Sequence, residues 1–309
     1  MSFDLNILEH GASKQVQLID QQNGTVIELQ CKGGLLNHWM VKNGGQSQAV
    51  ILGNSGIEDF EMNGFRSGKM GPFSCRVDGG KYQIGHQAYT FNKFYLGPHA
   101  IHGLIYDAEF TILSTKIKAQ SAEVLFSFAY KGTDPGYPFP FDIQLQWTLY
   151  TDNLIGIKTT IVNQSNNTIP YMDGWHPYFT LGGQVDDYFL EFKSNAKLEM
   201  RDDMIPSGII RQENNFEKGK KIGNTHLDDC FILDPIENKI KISYAGNSIT
   251  VIPIQNYPYL QLYTPGDRKS IAIENLSGAP DCFNNKMGLQ LLEPQGQICF
   301  ETRYHFETT

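Results

Sequence analysis

The sequence predicts an all-β fold, a large antiparallel β-sandwich, on three observations. Apolar and polar residues alternate at period two along most of the chain. Helical periodicity is nearly absent. The apolar runs are short, β-branched or aromatic, and bounded by Gly, Pro, Asn or Asp. Strands of this kind bury one face each, which two stacked antiparallel sheets provide.

The clearest unit covers residues 141–163. Phe141, Ile143, Leu145, Trp147 and Leu149 alternate with polar residues, Thr151-Asp152-Asn153 supplies a turn, and Ile155, Ile157, Thr159 and Ile161 share one face of the return strand. Similar extended stretches recur at 24–32, 122–130 and 297–306, and residues 239–244 pair with 249–254 across Ala245-Gly246-Asn247. Segments 57–70 and 92–107 are too long for hairpin turns, and loops of that length in a compact domain usually carry function. No linker, low-complexity tract or internal repeat interrupts the pattern. Residues 1–309 are therefore expected to form a single domain.

Composition narrows the function. Hydrophobic residues make up 40% of the chain and charged ones 19%, enough apolar material for a large core. The formal net charge is −8, which leaves no basic surplus for nucleic-acid phosphates or an anionic membrane. The five cysteines (Cys31, Cys75, Cys230, Cys282 and Cys299) are odd in number and scattered, which speaks against a disulfide framework or a zinc site. Reduced thiols, the absence of a signal-like start and the lack of a membrane-length apolar run together predict a cytoplasmic protein.

Five constellations put reactive side chains beside chain breaks. Arg76 follows Gly71-Pro72, either as a rim arginine in a salt bridge or as a fixed fork of donors. In Gly97-Pro98-His99-Ala100-Ile101-His102-Gly103, His99 is expected at the surface, whereas Gly103 allows close approach to His102. His176 stands before Pro177, where a strand must leave its sheet, and is either a histidine bonded to backbone or a ring reaching into a cleft. Asp228 and Asp229 lead into an apolar strand, and alternation lets only one of them face inward. Glu274 sits alone within Ser270-Ile271-Ala272-Ile273-Glu274-Asn275-Leu276. A buried carboxylate needs a partner or a raised pKa, so this residue is the most informative in the chain. No dinucleotide, phosphate-loop, metalloprotease or serine-hydrolase motif occurs, and no tightly spaced ligand pair suggests a metal.

Taken in order, these segments resemble the aldose 1-epimerase (galactose mutarotase) family from about residue 71 onward. The resemblance rests on Arg76 in the arginine-bearing strand, His102 in a His-Gly loop, and His176 followed by Tyr178-Phe179. Asp228 before Cys230-Phe231, Gln261 within Leu260-Gln261-Leu262-Tyr263-Thr264, Glu274 before Asn275, and Ala279-Pro280-Asp281 extend it, as does the late turn Glu293-Pro294-Gln295-Gly296. It implies a galactose mutarotase-like supersandwich and an isomerase that interconverts the α and β anomers of a free aldohexose. By this resemblance Glu274 is the general base on the anomeric hydroxyl and His176 the general acid on the ring oxygen. Arg76, His102, Asp228 and Gln261 hold the sugar, and neither metal nor cofactor is required. Leu104, Asp229 and Ser74-Cys75 depart from common family residues and bear on which sugar is preferred.

Two alternatives accompany this expectation. A hexose-6-phosphate 1-epimerase needs several cations converging on the cleft. Those near the motifs are Arg66, Lys69, Arg76 and Lys93, with Lys69 expected to be solvated in a loop. A non-catalytic carbohydrate-binding protein would use aromatic platforms such as Trp175 and Tyr178 but gain little from Glu274. For the enzyme, free pKa values set a window from about 4.3 for Glu274 to about 6.5 for His176, with burial raising the first and Asp228 raising the second. The sequence leaves the oligomeric state open.

Overall fold

Two antiparallel sheets pack face to face, as the period-two pattern requires. The computed structural model describes residues 2–11, 13–54 and 64–308, so part of the first long segment, residues 57–63, lies outside the described residues. One sheet has nine strands, in the order Thr111–Ile117, Ser121–Tyr130, Phe141–Tyr150, Leu154–Asn163, Gln297–Thr308, Asn247–Gln255, Ile240–Tyr244, Phe189–Phe192 and Lys220–Lys221. The other runs Pro206–Arg211, Ser194–Met200, Asp228–Leu233, Tyr259–Tyr263, Ile271–Leu276, Gly174–Trp175 and Lys69–Met70, with Tyr178–Phe179 also paired to Ile271–Leu276. Phe3–His10, Ser13–Asp20, Thr25–Gln30, Leu36–Asn43 and Gln46–Ala49 form a separate five-stranded meander. No helix among the described residues is long and apolar enough to cross a membrane.

Local chemistry explains the hairpins. Phe141–Tyr150 pairs with Leu154–Asn163 through a turn in which Asp152 and Asn153 both take positive φ (59° and 54°), a conformation Asx residues tolerate. Ile240–Tyr244 pairs with Asn247–Gln255 across Ala245-Gly246, so Asn247 opens the return strand rather than completing the turn. The 297–306 stretch is one long central strand that joins both hairpins into a single sheet.

Between the large sheets lies a continuous core. Trp147 meets Trp175 at 5.2 Å between ring centroids, Phe179 meets Tyr304 at 5.3 Å, and Thr302 Oγ1 donates to Asn275 Oδ1 at 2.7 Å. Because strand residues alternate, Asn275 faces this core while its neighbour Glu274 turns to the other face of the sheet.

Three residues differ from expectation. Trp175 is buried against Trp147 and is no sugar platform. Lys69 is not solvated. It is fully buried in a strand opposite Trp175, forms an ion pair with Asp173, donates to Gly174 O at 3.3 Å and lies 4.6 Å from the Trp175 ring centroid. Its partner is 104 residues away, so nothing local marks the pairing. His99 is buried as well. Its Nδ1 accepts from the Gly79 N–H at 3.0 Å, and Asp78 and Asp203 flank the ring at 3.3 and 3.4 Å.

Candidate active site

Glu274 is set by strand register. It lies opposite Gln261 in the neighbouring strand, and Gln261 lies opposite Cys230 in the next, so the three share one face of the eight-stranded sheet. Asp228, two residues before Cys230, shares that face. Asp229 turns the other way and pairs with Lys197 at 2.6 Å. Alternation thus separates the two adjacent acids as the sequence implied.

The histidines come from irregular backbone at strand ends. Pro177 breaks pairing between Gly174–Trp175 and Tyr178–Phe179, and His176 occupies the break, its N–H bonded to Gly68 O and its carbonyl accepting from Ser67 N–H. His102 follows the His99–Ile101 strand with φ of 61°, a sparsely populated conformation for a non-glycine residue, fixed by its N–H to Cys75 O at 3.0 Å. The next residue must be glycine: a Cβ at Gly103 would stand 2.2 Å from Gly71 O. Arg76 pairs with Ile101 in register, so one small sheet presents Arg76 and His102 together.

All six expected residues line one cavity of about 290 Å³, near the lower end of the usual range for small-molecule sites. His176 Nε2 lies 3.3 Å from Glu274 Oε1, both nearly buried. The His102 ring meets that of His176 edge-on at 5.0 Å, Tyr178 stacks on His176 at 4.9 Å, and Gln261 Nε2 donates to Asp228 Oδ1 at 2.8 Å. The Arg76 guanidinium makes no hydrogen bond to another described residue, so its donors are free for a ligand. The sequence had given Tyr178 only as a platform and had not singled out Phe65, which packs on His102 at 4.6 Å, or Tyr263. Tyr263 stands two residues from Gln261, so alternation carried its signal. Nothing local marked Phe65.

Four buried atoms here have no hydrogen-bond partner among the described residues: His102 Nδ1, His176 Nδ1, Gln261 Oε1 and Glu274 Oε2. Buried polar groups are normally satisfied, so this concentration in one cavity marks groups available to a polar ligand. Burial also sets their charge. It pushes Glu274 well above the ordinary carboxylate range, with Asp228 adding to the shift and Arg76 opposing it. It lowers His176 to about 4 and holds His102 well below the ordinary imidazole range, His176 and Arg76 adding to the latter shift. Burial raises Asp228 too, while Arg76 draws it down. The expectation that Asp228 would raise His176 is therefore corrected, because desolvation dominates.

A larger concavity, about 720 Å³, lies elsewhere, lined by Lys193, Glu217, Glu237 and Thr250. Its Lys193 pairs with Glu237 and Glu217 in an exposed, solvated arrangement. Perturbed, buried titratable groups occur in the smaller cavity, which is the functional candidate.

A two-sheet β-sandwich with a buried carboxylate–imidazole pair in an open cavity defines a protein equipped for acid–base chemistry on a small polar molecule. The chain belongs to the aldose 1-epimerase family, whose model matches residues 15–305. Membership places it among isomerases that act on small sugars. It is 26% identical over 231 residues to the Escherichia coli (strain K12) protein YihR, covering 72% of this chain and 73% of that one. A galactose mutarotase-like protein from Clostridium acetobutylicum superposes with a TM-score of 0.87 at 18% identity, covering 100% of this chain and 99% of that one. A galactose 1-epimerase from Lactobacillus acidophilus does so with a TM-score of 0.86 at 19% identity, with 99% of each chain covered. These two likenesses establish the shared fold.

Proposed function

We propose that the protein interconverts the α and β anomers of a free aldohexose by opening and closing the ring. The 3.3 Å approach of His176 Nε2 to Glu274 Oε1 in the sugar-sized cavity carries this reading. Glu274 carboxylate takes the proton of the anomeric hydroxyl as the C1–O5 bond breaks, and its electron pair goes to O5, which takes a proton from the His176 imidazolium. Rotation about C1–C2 turns the aldehyde. Closure returns the O5 proton to His176 and the Glu274 proton to O1, giving the other anomer with no net proton change.

The pKa shifts fit one proton shared by the pair. Protonated Glu274 with neutral His176 is the form burial favours, and it is the form left after ring opening. Carboxylate with imidazolium is the same proton level redistributed, as the cyclic sugar requires. Arg76, His102, Asp228 and Gln261 are the groups we assign to the sugar hydroxyls.

The phosphorylated alternative lacks cations. Arg76 is the one cationic residue lining the cavity among the described residues. Lys69 is in the interior, Lys93 pairs with Asp107 and Leu104 O, and Arg66 donates to Gly53 O at 3.5 Å. Polarimetry of freshly dissolved α-glucose and α-galactose with EDTA present tests the proposal. Faster decay than buffer for at least one aldohexose is expected, and rates equal to buffer across a broad panel would overturn it in favour of sugar binding without catalysis.

A further inference from the structure

Of the three buried histidines among the described residues, His99 alone has no part in the scheme above. It stands three residues before His102, and its ring does not line the sugar cavity. Its Nδ1 takes the Gly79 N–H at 3.0 Å, so a neutral ring carries its proton on Nε2. That nitrogen has no hydrogen-bond partner among the described residues, although the residue is only 3% exposed. Buried donors are normally satisfied. Asp203 Oδ2 lies 3.4 Å away, close but not aligned for a hydrogen bond.

Asp203 belongs to a tight turn. Arg201 N–H donates to Ile205 O at 2.8 Å and Met204 N–H to Arg201 O at 2.9 Å, and Met204 takes a φ of 65° that a non-glycine residue seldom adopts. Met204 lines the sugar cavity, and so do Ile101 and His102, which follow His99 in the chain. The approach of His99 to Asp203 therefore spans two separate parts of the cavity wall.

Other ties along this seam run at the surface. Arg201 pairs with Asp203 and with Asp78, Asp78 Oδ1 lies 3.3 Å from His99 Nδ1, and Asp78 N–H donates to Asp281 Oδ1 at 2.9 Å. The side chains of Arg201, Asp203 and Asp78 are exposed, and water screens ion pairs of that kind until they contribute little. The buried ring is the part of the seam from which a completed bond would be felt.

Resting on the anomerase reading above, we propose that His99 is a positioning residue for the sugar. When the cavity is filled, the Arg201–Ile205 turn moves in, His99 Nε2–H bonds Asp203, and Met204 is held against the sugar. The movement needed is about half an ångström, from 3.4 Å to an ordinary hydrogen-bond length of about 2.9 Å. His99 makes no bond to the sugar and leaves His176 and Glu274 as they are, so it acts on affinity and not on turnover.

Two substitutions that each preserve one ring nitrogen's role test this, with anomer exchange by NMR and calorimetric binding of glucose and galactose, all on the full chain. His99→Asn keeps an acceptor for the Gly79 N–H and loses the reach to Asp203. His99→Gln places an amide N–H near the position of Nε2 and keeps that reach. His99→Asn is expected to raise KM and Kd about fivefold with kcat within about twofold of wild type, while His99→Gln stays close to wild type throughout. Asp203→Ala reads the same contact from its exposed side, should the His99 variants fail to fold. It is expected to match His99→Asn, and the two together to weaken binding no further than either alone. Equal effects of Asn and Gln, a loss confined to kcat, or effects of His99→Asn and Asp203→Ala that multiply would overturn the proposal and leave the anomerase reading standing. The expected pattern in Kd, in a protein that exchanges no anomers, would remove the anomerase reading and keep the role of His99. No sugar binding would remove both.

Discussion

Two buried acid–base pairs occupy adjoining parts of the same sheet. Lys69–Asp173 lies within the core, while His176–Glu274 lines the cavity, and Lys69 is cross-strand partner to Trp175, the residue before His176. The first pair is closely supported: Asp173 Oδ2 also takes the Tyr257 hydroxyl at 2.6 Å, and Lys69 adds Gly174 O and the Trp175 ring. Of this pair's side-chain polar atoms, Asp173 Oδ1 alone lacks a hydrogen-bond partner among the described residues. The second pair is held by the rings of Tyr178 and His102, and both Glu274 Oε2 and His176 Nδ1 lack a hydrogen-bond partner among the described residues. Burial alone therefore does not distinguish a structural charge from a functional one. What distinguishes them is whether the remaining hydrogen-bonding capacity is used inside the protein or left facing a space a ligand can fill.

Breaking the enclosed pair gives the largest expected effect. Lys69→Met strands Asp173 in the core and should cost about 3–5 kcal/mol of stability, read by urea unfolding. Adding Asp173→Asn should recover most of that loss. A single variant as stable as the wild type would show that Asp173 carries no charge needing Lys69.

The open pair should respond oppositely. His176→Asn is expected to lower kcat about 10²-fold, near 2.7 kcal/mol in barrier, with little change in unfolding midpoint. A large stability loss with normal turnover would make His176 structural.

The pH profile sharpens the same distinction. Burial lowers His176 to about 4 and raises Glu274 above the ordinary carboxylate range. The pair holds two protons below the lower value and none above the upper one, and only the one-proton form has both an acid and a base. Activity should rise as pH increases through the lower value and fall again at the raised one, the limbs belonging to the pair. This reverses the order expected from free values, in which Glu274 set the acid edge. An acid limb near 6.5 in kcat/KM would contradict it.

The smallest effect is at the rim. Arg76→Ala should weaken sugar binding about tenfold, roughly 1.4 kcal/mol, without changing stability, as titration calorimetry would report. Unaltered affinity would place the sugar away from the guanidinium.

These contrasts were legible in the sequence to different degrees. Period-two alternation yielded the hairpin of residues 141–163 and required Asp228 and Asp229 to face opposite ways, because strand geometry converts spacing into direction, while the family resemblance chose Asp228 as the inward one. Glu274 was legible because a carboxylate inside an apolar strand conflicts with its surroundings. Lys69 and His99 were misplaced because their contacts are non-local: Asp173 is 104 residues from Lys69, and His99 is enclosed by Asp78 and Gly79 on one side and Asp203 on the other.

The most direct test is Glu274→Gln, assayed for anomer exchange by NMR and for sugar binding by calorimetry on the same preparation. Glutamine keeps the shape and removes the base. The expected result is a loss of about 10²-fold or more in kcat, with affinity changed far less and the protein still folded. Near-normal turnover would mean that another group takes the anomeric proton, and that the buried pair in the cavity is not the catalytic one.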